Sequence, residues 1–338
     1  MEVPQMPLLT LATPHIRVVI DPQHGAELVR LENAAGINML FAAAWKSPLP
    51  ANVSRSYGDS VLDWHSEYRG GWQELFPNAG DACVVMGTPL PFHGELSRAN
   101  WEWSWLEQDT AVVLRCAARL PLVLERTMRV HAERAVLVID ERIVNESPLT
   151  VPYIWGHHPA FGPPLAEAGA RIDLPATNLI VDAGMDGAAV DLQPGSVHTW
   201  PLTRDRHDRP IDLSVIPAAP IQRFGFLTDV AEGWYAVRNP ARRLGVGLAW
   251  DRTVFPHLWF WQEIGGGEEL PWYGRAAITA LEPMTQWPAH GLAAAVAAGQ
   301  ARLLTPGQEV ATSLTCVLFD ADERAVTQVT ADGIVHSK

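Results

Sequence analysis

At 338 residues the chain is long enough to bury a large core, and β-rich folds of this length are often a single domain, which is the organisation expected for residues 1–338. Its 38 acidic residues against 25 basic ones give a formal charge of −13, and the isoelectric point is near 5.3. This balance argues against nucleic acid or anionic lipid as partner, since both demand clustered Lys and Arg, and it favours a small neutral solute.

The three cysteines, Cys83, Cys116 and Cys316, follow no zinc-like spacing and read as small core residues. Met1 to Thr13 has no basic segment before an apolar one, and no run of eighteen apolar residues occurs, so a soluble cytoplasmic protein is expected. Fourteen tryptophans exceed nine phenylalanines and five tyrosines; a core rich in indole or a surface that stacks on sugar rings both account for them. Twenty-seven prolines and twenty-six glycines, spread along the chain, suit short strands joined by turns.

Taken in order, His15–Asp21 and Glu27–Glu32 alternate around Gly25 and predict a hairpin. Met39–Trp45 is apolar, and Lys46 to Gly71 reads as a long loop. Gly71 to Asp81 is dense in aromatic and hydrogen-bonding groups and resembles a pocket wall. Strands are predicted at Trp101–Glu107, Ala111–Leu120, Val123–His131 and Ala135–Asn145, forming an antiparallel meander. Trp155 to Gly162 follows the turn at Asn145 to Pro148. Further strands are expected at Arg171–Leu174, Arg223–Leu227, Gly233–Asn239, Arg243–Trp250, His257–Gln262, Ala276–Glu282 and Gln308–Asp320. One short helix is expected at Ala293–Ala298, a flexible rim at Gly265 to Gly267, and a loosely packed tail over residues 321–338. The fold class is therefore all-β, a sandwich of antiparallel sheets with long irregular loops at one face.

Two stretches carry candidate chemistry. Glu282 is the only ionisable residue of an apolar strand, and alternation puts it on one face with Ala280, whose small side chain leaves room for a ligand. Loss of water raises the pKa of such a carboxyl group, which suits a base acting near neutral pH. His157 and His158 are adjacent, so on an extended backbone they point to opposite faces and at most one meets a given pocket. His93 is a third candidate, with Gly94 allowing close approach of a ligand or another strand. A structural Glu282 paired with Arg275, one core histidine and one surface histidine is the competing reading. A metal bound by His93, His157 and His158 has no supporting motif, and no phosphate loop or dinucleotide fingerprint is present. A carboxylate pair acting on glycosides, Glu74 or Asp81 with Glu282, remains a rival.

The order of these pieces, His93-Gly94 with Trp101 after it, His158-Pro159-Ala160-Phe161, then Leu281-Glu282-Pro283, resembles the aldose 1-epimerase (galactose mutarotase-like) family over nearly the whole chain. The resemblance implies a β-supersandwich and cofactor-free, metal-free opening of a sugar ring. It implies His158 as general acid toward the ring oxygen, Glu282 as base toward the anomeric hydroxyl, and His93 as a hydrogen-bonding histidine. Where that family carries an Asn-Arg pair, this chain has Asn78-Ala79-Gly80-Asp81, so Asn78 and Asp81 are the expected substitutes. Asp229 and Asp251 are the candidates for its mid-chain aspartate. Trp259 and Trp261 share a strand face suited to a pyranose, and Arg98, Arg223 and Arg275 are the cations available to a phosphosugar. A non-catalytic sugar-binding or sensing module of the same fold and a carboxylate-based hydrolase or lyase are the alternatives.

Overall fold

Period-two alternation builds two stacked layers. In the computed structural model, which describes residues 8–45 and 56–338, Ile16–Asp21 pairs antiparallel with Glu27–Asn33, forming the hairpin expected around Gly25. Leu9–Ala12, which the sequence patterning did not single out, adds to its outer edge with Leu9 opposite Ile20. The sheet then runs through Trp72–Leu75, Gly156–Phe161, Ala277–Met284, His257–Ile264, Ile221–Leu227, Asn178–Val181 and Val197–Thr199 to make ten strands.

The second sheet has eight strands, in the order Arg171–Asp173, Trp234–Asn239, Leu244–Trp250, Glu309–Phe319, Val136–Asn145, Leu122–Val130, Ala111–Ala117 and Glu102–Glu107. Its last four strands are the expected meander with Asp109 and Glu133 at the turns. Between the layers, Leu28, Phe161, Phe260 and Leu281 meet Leu124, Met128, Ile139, Leu248 and Leu314 in one apolar core. Full burial of each such side chain stabilises by about 1.5–3 kcal/mol.

Residues beyond Asp320 are packed. Val326–Val329 and Val335–Ser337 pair as a hairpin, and Val326 and Val329 join Val136, Ala249 and Val317 in a separate apolar cluster. Thr315 Oγ1 adds a 2.7 Å bond to the Ala331 carbonyl.

The long loop expected from Lys46 to Gly71 needs correction where it is described, residues 46–55 lying outside the described range. Ser60–Glu67 is a helix, with the Asp59 carboxylate accepting the Val61 N–H at 2.8 Å as its N-cap. The short helix near residue 293 is present as Gly291–Ala297.

Candidate active site

Sheet register brings the two distant motifs side by side. Gly156 stands opposite Met284 and Ala160 opposite Ala280, so the same register sets His158 across from Glu282. His158 also pairs with Gln73 on its other side, and Glu282 with Trp259. Cross-strand partners share a face. Gln73, His158, Glu282 and Trp259 thus form one row on the face turned away from the second sheet. His158 Nε2 lies 3.7 Å from Glu282 Oε1, and both side chains are almost wholly buried.

His158, Glu282 and Trp259 of this row form the floor of a cavity of about 440 Å³, within the range of roughly 300–1,000 Å³ usual for small-molecule sites. Trp259 and Trp261 line it, as does His93. The loop tip at Asp81, exposed beside His290, forms part of the mouth, with His290 Nδ1 3.7 Å from Asp81 Oδ2. The Ser60–Glu67 helix supplies Trp64 and His65, which the sequence reading missed. Their signal was the spacing of Val61, Trp64 and Tyr68 behind the capping Asp59, hidden among neighbouring glycines. Gln222, Glu263 and Trp272 were missed as well.

Each histidine has a defined electrostatic state. The Gly80 N–H donates to His93 Nδ1 at 3.2 Å, which leaves Nε2 as the protonated nitrogen of a neutral ring. Gly94 has φ +72°, and a Cβ there would stand 2.4 Å from the Phe76 carbonyl oxygen. The close approach expected at this glycine is therefore made by another backbone segment. Burial pushes His158 down to about 4 and His65 likewise to about 4. Burial, with His158 and His65 nearby, takes His93 well below the usual histidine range. Burial raises Glu282 well above the usual carboxyl range. Both members of the pair are thus driven toward their uncharged forms, which favours the proton of the pair on Glu282. Glu282 Oε2 and His158 Nδ1 have no hydrogen-bond partner although both are buried. Such atoms are costly unless a ligand satisfies them.

His157 points the other way, as alternation requires. Its Nδ1 accepts the Trp72 indole N–H at 3.2 Å, so Nε2 carries the proton toward Glu141 Oε2 at 2.9 Å. Arg126 Nε donates to the same Glu141 at 2.7 Å, and the guanidinium also meets Glu74. His157 and Arg126, whose hydrogen bonds hold Glu141 below the usual carboxyl range despite its burial, tie the two sheets together. Glu74, Glu141 and His157 lie close enough to hold a metal, but Arg126 already supplies the positive charge that the carboxylates require.

Other sequence candidates sit away from the cavity. Asn78 is fully buried and donates through Nδ2 to the carbonyls of Asp81 and Pro91, each at 2.9 Å. Its Oδ1 accepts the Leu292 N–H at 2.7 Å. With every polar group bound to backbone, Asn78 shapes the loop rather than gripping a ligand. Arg98 Nε binds Glu67 at 2.7 Å and does not line the cavity. Arg223 is engaged by Asp191 and Gln262, and Arg275 by the Pro271 and Trp272 carbonyls. Asp229 caps the turn at Thr177 and Asn178, and Asp251 binds Thr253. Glu74, on the opposite face of the sheet, is no partner for Glu282 in a glycosidase pair. The Gly265 to Gly267 rim is pinned, because Glu263 Oε1 accepts the Gly266 and Gly267 N–H groups at 3.0 and 2.8 Å.

Two layered sheets with a loop-roofed cavity on the outer face of one define a galactose mutarotase-like fold. The solved structures similar to this chain carry it. Slr1438 from Synechocystis sp. PCC 6803 has a TM-score of 0.66 at 18% identity, over 93% of this chain and 96% of that one. A galactose mutarotase-like protein from Lactobacillus casei ATCC 334 has a TM-score of 0.60 at 17% identity, over 92% and 100%. A provisionally named aldose 1-epimerase from Escherichia coli K12 has a TM-score of 0.63 at 13% identity, over 93% and 99%. No protein-family profile and no curated protein matches the chain.

Proposed function

We propose that the protein is an aldose 1-epimerase-like isomerase that interconverts the α and β anomers of a hexose, without a cofactor. The observation that carries this reading is the His158–Glu282 pair, 3.7 Å apart on the cavity floor, each with an unpartnered buried atom. One proton and two acceptor sites are what ring opening needs. One group protonates the ring oxygen O5 while the other takes the proton of the anomeric hydroxyl, and the C1–O5 bond breaks to give the free aldehyde. Rotation about C1–C2 and closure on the opposite face return both protons. The resemblance to mutarotases gives His158 the acid role, whereas burial starts the proton on Glu282. The exchange balances in either sense, since the reaction runs both ways. His93, a neutral N–H donor, steadies charge developing on a sugar oxygen, and Trp259 and Trp261 provide apolar walls for a pyranose. Three free thiols suit a reducing cytoplasm.

The test is anomer exchange of fresh α-glucose and α-galactose, followed by optical rotation or NMR. Wild type is expected to accelerate equilibration of at least one sugar, and Glu282→Gln to lose about 10²–10⁴-fold, the usual weight of one acid or base. A wild type that binds sugars without accelerating exchange makes the protein a binding module instead. Reducing ends released from disaccharides make it a hydrolase.

A further inference from the structure

Resting on that reading of the cavity, we infer that its substrate class is a hexose bearing a protonated amino group, in preference to neutral hexoses and against phosphorylated, sulfonated or carboxylated ones. Asp81, Asp182, Glu263 and Glu282 line the cavity, Glu263 with Oε1 taken by the Gly266 and Gly267 N–H groups and Oε2 by Gln222 Nε2, and among the described residues no lysine or arginine lines it. The nearby guanidinium groups are withdrawn, Arg98 by Glu67 and Arg223 by Asp191. Burial holds three of the lining histidines, His65, His93 and His158, uncharged near neutral pH, and the fourth, His290, stands at the mouth beside Asp81.

The walls add a second attraction for a cation. Trp64, Trp259, Trp261 and Trp272 line the cavity, and indole faces draw an ammonium group through their quadrupole. A ligand is called for by Glu282 Oε2, which is buried, unpartnered and part of the floor. An ammonium group in the cavity also favours the ionised form of Glu282, so that the substrate's own charge readies the base. An anionic substituent meets the reverse: carboxyl groups, no guanidinium fork, and loss of water without compensation.

Four probes separate charge from shape: glucose, 2-amino-2-deoxyglucose below the titration of its amine, its N-acetyl derivative, and glucose 6-phosphate. Dissociation constants come from calorimetry on the full chain, and anomer exchange from NMR. The amino sugar is expected to bind roughly tenfold more tightly than glucose, a typical cation–π and carboxylate contribution, and more tightly than its uncharged N-acetyl derivative, with glucose 6-phosphate weakest. Asp81→Asn with Asp182→Asn should shrink the preference, as should high salt, which screens the partly exposed carboxylates. Tighter binding of the phosphate than of glucose, equal binding of the amino sugar and glucose, or no binding by any probe overturns the inference. If the binding order holds but no anomer exchange is accelerated, the charge inference stands and the epimerase reading falls. If exchange is accelerated with no advantage for the amino sugar, the epimerase reading stands and this inference falls.

Discussion

At the scale of single residues, the contrast between Asn78 and Glu282 separates a satisfied buried polar group from an unsatisfied one. Both are buried polar groups, yet Asn78 has its donors and acceptor bound to backbone, while one oxygen of Glu282 has nothing. Asn78→Ala should therefore lower stability by about 1–3 kcal/mol for the backbone groups it orphans, read from denaturant unfolding. The protein that remains folded should match wild type in any binding of glucose or galactose. Glu282→Gln should do the opposite, leaving stability equal or higher because it removes a carboxyl that burial penalises. Sequence alone ranked both as site residues, since type and neighbourhood look alike until hydrogen-bond partners are known. Glu282 was legible as the one ionisable residue of an apolar strand, whereas alternation said only that at most one of the adjacent histidines meets a given pocket, and the family resemblance pointed to His158.

Among the elements, the strand Gly156–Phe161 does most to organise the molecule. It sits between Trp72–Leu75 and Ala277–Met284, and turns His157 to the inter-sheet network and His158 to the cavity. Removing only the cation of that network is expected to be severe. Arg126→Met leaves Glu74 and Glu141 without the guanidinium between them, held only by the Trp155 and His157 N–H groups, and such a break costs about 3–5 kcal/mol. A drop of that size in unfolding free energy is the expected outcome. A change below about 1 kcal/mol would show that the two carboxyls find other partners. The strands of the meander were readable from alternation bounded by turn residues. The Ser60–Glu67 helix was not, because Gly58, Gly70 and Gly71 frame it as loop and its apolar spacing covers only two turns. The pocket residues it carries, Trp64 and His65, were lost with it.

For the whole molecule, buried histidines set the response to acid. His65, His158 and His257 are each held near 4 by burial, so the unfolded chain binds more protons than the folded one between about pH 4 and the ordinary histidine value. Stability is then fully present above that ordinary value and is lost as pH falls toward 4, by about 1.4 kcal/mol per pH unit for each histidine. Glu282 acts with the opposite sign, because its raised folded value favours the protonated native state and that contribution is lost as pH rises. Unfolding midpoints measured from pH 7 to 4.5 should fall, and His65→Gln should flatten the slope. A profile that is level or rises toward acid would contradict the burial of these rings.

The back-to-back histidines have a consequence for how such a protein can change. One side of a single ribbon is committed to keeping the layers together and the other to whatever occupies the hollow. Mutations that retune the choice of guest therefore fall on Trp259, Trp261, Asp182 and their neighbours without touching the bolts behind them. Laboratory evolution of new selectivity on this scaffold should accumulate its changes on that outward side and spare Arg126, Glu141 and His157.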